Sequence, residues 1–163
     1  TVDRVLELWP YLEALGVPIG SPATAQHPVT STWFKTFMQK VDEMGYRVDF
    51  VCVHDYGGGS VQSFKDKMSS IHTKYNRPIL VTEFAVADWN ASKPEDNKHS
   101  LQKVKSFMQG ALNWMESTDY MLGYAWFSFG VDQAAGTTSA LFDESNNLTE
   151  LGEYYSNFKP NKQ

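Results

Sequence analysis

Glu83 stands directly after the apolar run Ile79-Leu80-Val81-Thr82 and is followed by Phe84. A carboxylate at the carboxyl end of a buried strand is rigidly held, at the end of the sheet where α/β proteins keep their chemistry. Most glutamates are simply solvated or paired with a neighbouring Lys or Arg, but this position favours a functional carboxylate. His54 and Tyr56 alternate after a second apolar run, Val48 to Val53, so their side chains fall on one side. Both could donate hydrogen bonds to Glu83, although a histidine there also serves as a core-edge group bonded to backbone. Asp55 lies between them. Trp126 and Phe127 end a third run that begins at Met121. An indole at that place either packs in the core or offers a flat face to a sugar ring, whose polarised C–H groups it attracts much as it attracts cations. Ser21, Ala23 and Ser128 complete the strand-end positions.

Other chemistries lack their motifs. No G-x-G-x-x-G follows a strand, and Gly57-Gly58-Gly59 has no Lys-Ser/Thr for a phosphate loop. There is no G-x-S-x-G nucleophile elbow. His27, His54, Asp55 and Glu83 lack a tight ligand spacing, so no metal and no cofactor is expected. Cys52 is the sole cysteine, which excludes an internal disulfide framework and a multi-cysteine zinc site. The net charge is −5 with no Lys/Arg cluster, so nucleic acid and anionic membranes are not expected partners. No apolar run approaches the ~18 residues of a membrane span.

The elements that must position these groups alternate. At 163 residues and 18.5 kDa, the chain reads as one domain over residues 1–163. Val5, Leu8, Leu12 and Leu15 mark one face of a first helix, closed by Gly16. An extended piece, Val17 to Ala23, follows. A helix from about Trp33 to Met44 leads to the strand Val48–Val53. Ser60 caps a third helix carrying Val61, Phe64, Met68, Ile71 and Tyr75. The strand Ile79–Thr82 follows, then a capping-box pattern at Ser92-Lys93-Pro94-Glu95 before the helix of Leu101, Val104, Met108, Ala111 and Met115. The strand Met121–Phe127, a polar loop from Val131 to Ser145 and a helix from about Leu148 to Phe158 close the chain. Strand, loop and helix thus repeat four times, which predicts a parallel α/β sheet, either doubly wound or part of a (β/α) barrel.

Taken together, these segments resemble the Asl1-like catalytic domains of glycoside hydrolase family 128. The resemblance rests on Leu8-Trp9-Pro10, Leu15-Gly16 to Gly20-Ser21-Pro22-Ala23, Trp33-Phe34, Val48-Asp49-Phe50 through Val53-His54-Asp55-Tyr56-Gly57, Thr82-Glu83-Phe84-Ala85 and Tyr124-Ala125-Trp126-Phe127. It spans about Val5 to Phe158. It implies a (β/α)8 TIM barrel that hydrolyses β-1,3-glucan in endo fashion with retention of configuration. Glu83 then matches the nucleophile at the end of strand seven. His54 and Tyr56 match the cleft residues of strand six; the family pattern has Trp between them, and this sequence has Asp55 there instead, a departure at one substrate-binding position. Trp126 matches the aromatic at the end of strand eight, and Phe84 and Phe127 are expected beside it as substrate-binding residues.

The resemblance also implies an acid/base glutamate in an Asn-Glu-Pro-like motif at the end of strand four. No such motif occurs in these residues, and Asp55, Asp143 and Glu144 do not occupy its position. The four strands correspond to strands five to eight, and a complete barrel takes about 250 residues. The expectation is the C-terminal half of a barrel, completed by a missing N-terminal half or by a second copy as a homodimer. The sequence begins at Thr1 without methionine, so a processed chain or a fragment is expected. The sequons Asn90-Ala91-Ser92 and Asn147-Leu148-Thr149 permit secretion, and a secreted or cell-wall-associated location is expected. The rival readings are a non-catalytic carbohydrate-binding half-barrel that lacks the acid, and an unrelated doubly wound protein with a small ligand at its strand ends.

Overall fold

A computed structural model describes residues 1–160 of the chain. The elements are α1 (Val2–Glu13), α2 (Thr32–Met44), β1 (Val51–Gly57), α3 (Val61–Tyr75), β2 (Ile79–Val86), α4 (Leu101–Glu116), β3 (Met121–Trp126) and α5 (Glu150–Asn157). Each α-helix begins at a Ser or Thr whose side chain accepts a backbone N–H of the first turn: Thr1, Ser31, Ser60, Ser100 and Thr149. Such caps contribute about 0.5–2 kcal/mol each. The capping pattern at Ser92 starts only a 3₁₀ turn, Pro94–Asp96, and α4 begins later, behind Ser100.

The three strands are parallel in the order β1-β2-β3. The expected first strand, Val17 to Ala23, forms a single parallel bridge, Gly20 to Phe50, rather than a strand. Pro18 and Pro22 bracket it and have no N–H to give a ladder. Gly20 also admits Phe50 and Cys52 where a Cβ would sit, within 2.6 Å of both side chains.

The two faces of the sheet differ. Val51 and Val53 of β1 and Ile79, Val81 and Phe84 of β2 are fully buried, in one cluster with Phe34, Phe37 and Val41 of α2, Phe64, Met68 and Ile71 of α3, and Val104, Met108 and Leu112 of α4. Burying such side chains stabilises the fold by about 1.5–3 kcal/mol each. The alternate positions Cys52, His54 and Tyr56 of β1, Leu80 and Thr82 of β2 and Gly123 of β3 are only half-buried. A doubly wound sheet carries helices on both faces. Here the buried cluster of helices covers one.

The expected face of α1 is turned outward. Leu8, Leu12 and Leu15 are exposed, and Leu6 and Trp9 are the buried residues. Trp9 decides the rotation: its ring packs edge-on against Phe37 at 5.1 Å and its N–H donates to Arg47 O at 2.9 Å.

Candidate active site

Glu83 reaches the half-buried face through an irregularity in β2. The pairing runs Val53 with Val81, then His54 with Glu83, so Thr82 is an extra residue in the ladder. Its hydroxyl donates to Val53 O at 3.3 Å. Strict alternation from Val81 would carry Glu83 to the buried face and Phe84 to the open one; the bulge exchanges them.

His54 and Tyr56, two residues apart on β1, both meet the Glu83 carboxylate, and at the same oxygen. The Tyr56 hydroxyl donates to Oε2, and His54 Nδ1 lies 3.4 Å from it. Among the described residues no side chain bonds Oε1. Burial, and then the adjacent Glu83 carboxylate, push the Tyr56 hydroxyl well above its ordinary pKa, so it remains a donor throughout the neutral and mildly alkaline range. The carboxylate is about one-third exposed and open to a ligand.

Two sequence expectations are corrected. Phe84 is fully buried, with its ring against Phe64, Phe107, Tyr124 and Trp126, and does not line the open face. Trp126 is likewise core. It is 7% exposed, its indole N–H donates to Ser139 O at 2.9 Å, and it stands edge-on to Phe84 at 5.0 Å. Neither offers a face to a sugar. Phe127 is partly exposed and meets Tyr56 at 5.5 Å and Phe129 at 5.0 Å. Asp55, between His54 and Tyr56 at the carboxyl end of β1, is held by Lys67 Nζ of α3, which donates to its Oδ1 at 2.6 Å, and the pair lines the same cleft as His54 and Tyr56.

The structure adds residues that the sequence did not single out for the site. Trp89, in the loop after β2, is 65% exposed and edge-on to Tyr56 at 5.8 Å and to Phe129 at 6.2 Å. A cleft of ~440 Å³ runs beside it, lined among others by His54, Tyr56, His27, Lys67 and Trp89. The only advance signal for Trp89 was a large aromatic in a strand-end loop. Among the described residues no three His, Cys, Asp or Glu are gathered as metal ligands. Asp143 holds its own loop, accepting from the backbone N–H groups of Ser145 at 2.8 Å and Asn147 at 2.9 Å.

The Glycosyl hydrolase catalytic core family model matches residues 2–155. Alkali-sensitive linkage protein 1 of Schizosaccharomyces pombe is 32% identical over 139 residues, which cover 84% of this chain and 24% of that protein. An endo-β-1,3-glucanase of family GH128, subgroup I, from Amycolatopsis mediterranei superposes with a TM-score of 0.82 at 30% identity. That match covers 96% of this chain and 65% of the enzyme, whose crystal holds a glutamate-to-alanine variant with laminaritriose and laminaribiose. A second structure of the same enzyme has a different glutamate replaced and laminaripentaose bound. A subgroup V exo-β-1,3-glucanase from Cryptococcus neoformans gives a TM-score of 0.77 at 27% identity, over 94% of this chain and 61% of that one. The chain thus spans less than two-thirds of each of these proteins.

Proposed function

The chain belongs to the glycosyl hydrolase catalytic core family, and from that premise we propose that it supplies the nucleophile half of a retaining endo-β-1,3-glucanase, with Glu83 as nucleophile. The observation that carries this reading is the convergence of His54 and Tyr56 on one oxygen of Glu83. Oε2 is held, and Oε1 is left to attack. A held carboxylate loses little freedom on reaching the anomeric carbon, which is how positioning lowers a barrier.

In this mechanism Oε1 bonds to the anomeric carbon as the glycosidic C–O bond breaks. A second carboxyl group, about 5–5.5 Å away, gives its proton to the departing oxygen. It then takes a proton from the water that displaces Glu83. Asp55 is engaged with Lys67 and Asp143 with its own loop, so neither serves. The acid/base arrives on strand four of a (β/α)8 barrel, of which β1, β2 and β3 are strands six, seven and eight and the segment at Gly20 is strand five. Helices on one face of the sheet and a half-covered opposite face support the barrel reading, and two different glutamates replaced in the bacterial enzyme support a two-carboxylate mechanism. The substrate assignment follows the laminari-oligosaccharides bound by that enzyme. A β-glucan substrate and the sequons at Asn90 and Asn147 support a secreted or cell-wall location.

The test is Glu83→Gln in the full-length protein that contains this chain. Turnover of laminari-oligosaccharides should fall by several orders of magnitude while binding persists. With Glu83→Ala and an activated glycosyl donor, azide should restore activity and yield the glycosyl azide of inverted configuration. Near-normal turnover of Glu83→Gln would remove the nucleophile assignment. Binding without hydrolysis by the unaltered full-length protein would make it a carbohydrate-binding unit.

A further inference from the structure

The cleft that His54 and Tyr56 line, both of which meet Glu83, has two kinds of wall. One is aromatic. Trp89 presents most of its indole to solvent, and the loop that carries it is tied down on both sides. Asp88, 3% exposed, accepts from Asn90 N at 3.2 Å and from Lys98 N and Nζ at 3.2 and 2.9 Å, and its own N–H donates to Ala135 O at 2.7 Å. A large exposed apolar ring on a tethered backbone is a preorganised surface.

The other wall is polar and electrically balanced. Lys67 Nζ spends one hydrogen on Asp55 Oδ1 at 2.6 Å, and the Asp55 side chain is 9% exposed. An ammonium has three donors, so two remain for the cleft, at a position fixed by a buried partner. His27 adds no charge. Its Nδ1 accepts from Val29 N at 3.3 Å, so the hydrogen sits on Nε2, which faces Lys67 O at 3.4 Å. Burial holds the imidazole below its ordinary pKa, against the hydrogen bond to Lys67 O, which pulls it upward.

We propose that Trp89 and the Asp55-held Lys67 form a sugar subsite for one uncharged glucosyl residue of the chain that Glu83 cleaves. The indole receives the C–H face of the ring, and the ammonium donates to its hydroxyls. The neutralised pair disfavours an anionic sugar, since Asp55 already satisfies the cation. The inference rests on the glucan reading above.

The 163-residue chain is titrated with laminaritriose, laminaripentaose and a C6-carboxylated laminari-oligosaccharide by calorimetry, with the Trp89 indole N–H followed by NMR. Thermal unfolding is recorded for each variant. Trp89→Ala should weaken laminaripentaose at least tenfold without lowering the unfolding temperature, and Trp89→Phe should recover part of the loss. Lys67→Met should weaken it severalfold. Because that variant strands Asp55, the double variant Asp55→Leu/Lys67→Met is measured beside it and should show the same loss. Unchanged binding in Trp89→Ala or in the double variant overturns the subsite while the glucan reading stands. Tighter binding of the carboxylated sugar overturns the uncharged ligand. An unaltered chain that binds no laminari-oligosaccharide ends the glucan reading and the subsite with it.

Discussion

One donor and one ring nitrogen converge on Oε2 of Glu83, and they are not equivalent: Tyr56 donates a hydrogen bond, while His54 Nδ1 stands 3.4 Å away. The Tyr56 hydroxyl stays protonated and donates to Glu83, with its pKa pushed up by burial and by Glu83 itself. Removing it in Tyr56→Phe keeps the ring, with its edge contacts to Trp89, Phe127 and Phe129. A hydrogen bond to a charged group is worth about 1.5–3 kcal/mol, so kcat/KM of the full-length protein should drop roughly 10- to 100-fold. The alkaline side of the pH–rate profile should not move, because Tyr56 does not titrate in the working range. A drop of less than twofold, or an alkaline limb that disappears with the hydroxyl, would contradict this role. At this scale the sequence was informative for polar groups: it put Glu83, His54 and Tyr56 at neighbouring strand ends, and the structure brings the three together. It misled for aromatics. Trp126 and Phe84 look the same in sequence as ligand-facing rings, and only the packing against Phe107 and the bond to Ser139 O shows them to be core.

The elements that hold this site include one irregular strand and one tethered loop, and neither is periodic. Apolar periodicity found α2, α3 and α4 because fully buried rows such as Phe64, Met68 and Ile71 recur every three or four residues. A bulge leaves no such mark. Thr82 continues the strand-forming run of β2 in sequence, and the exchange of Glu83 and Phe84 between faces depends on pairing with β1. The loop after β2 is organised by Asp88, whose carboxyl lies below its ordinary pKa mainly through its hydrogen bonds to Lys98, with burial opposing. A folded pKa below the unfolded value of about 3.9 means the contribution is complete above that value. It is lost as pH falls through the lower folded pKa. Asp88→Asn should therefore lower the unfolding temperature at pH 7, and the gap to the unaltered chain should close towards pH 3. Calorimetry at the two pH values decides it; an equal gap at both would show that the Asp88 charge does not hold the loop. The Trp89 indole N–H resonance should shift in the variant at pH 7, since the loop carries the indole.

On the scale of the whole molecule, a sheet with helices on one face leaves the other as a problem of solvation. Leu80 and Thr82 are half-buried there beside Cys52 and Glu83, and β3 is hydrogen-bonded to β2 as the last strand of the order. An unpaired strand edge next to a partly apolar face favours association with another chain or another segment. The alternation of strands and helices announced a parallel sheet, yet could not say how far the sheet extends, because the proline-bracketed piece around Gly20 is too short to carry a ladder. Under the barrel reading, Glu83 has its holding groups in this chain and its acid/base outside it. The 163-residue chain should therefore bind laminaripentaose but release reducing ends at near-background rate. Size-exclusion chromatography with light scattering should show it associating as its concentration rises through the micromolar range. A protein that carries both halves in one chain should be monomeric and active. A stable monomer of the short chain at micromolar concentration would exclude completion by a second copy. Full hydrolytic activity of that monomer would place the acid among these 163 residues and overturn the division of the mechanism between two halves of a barrel.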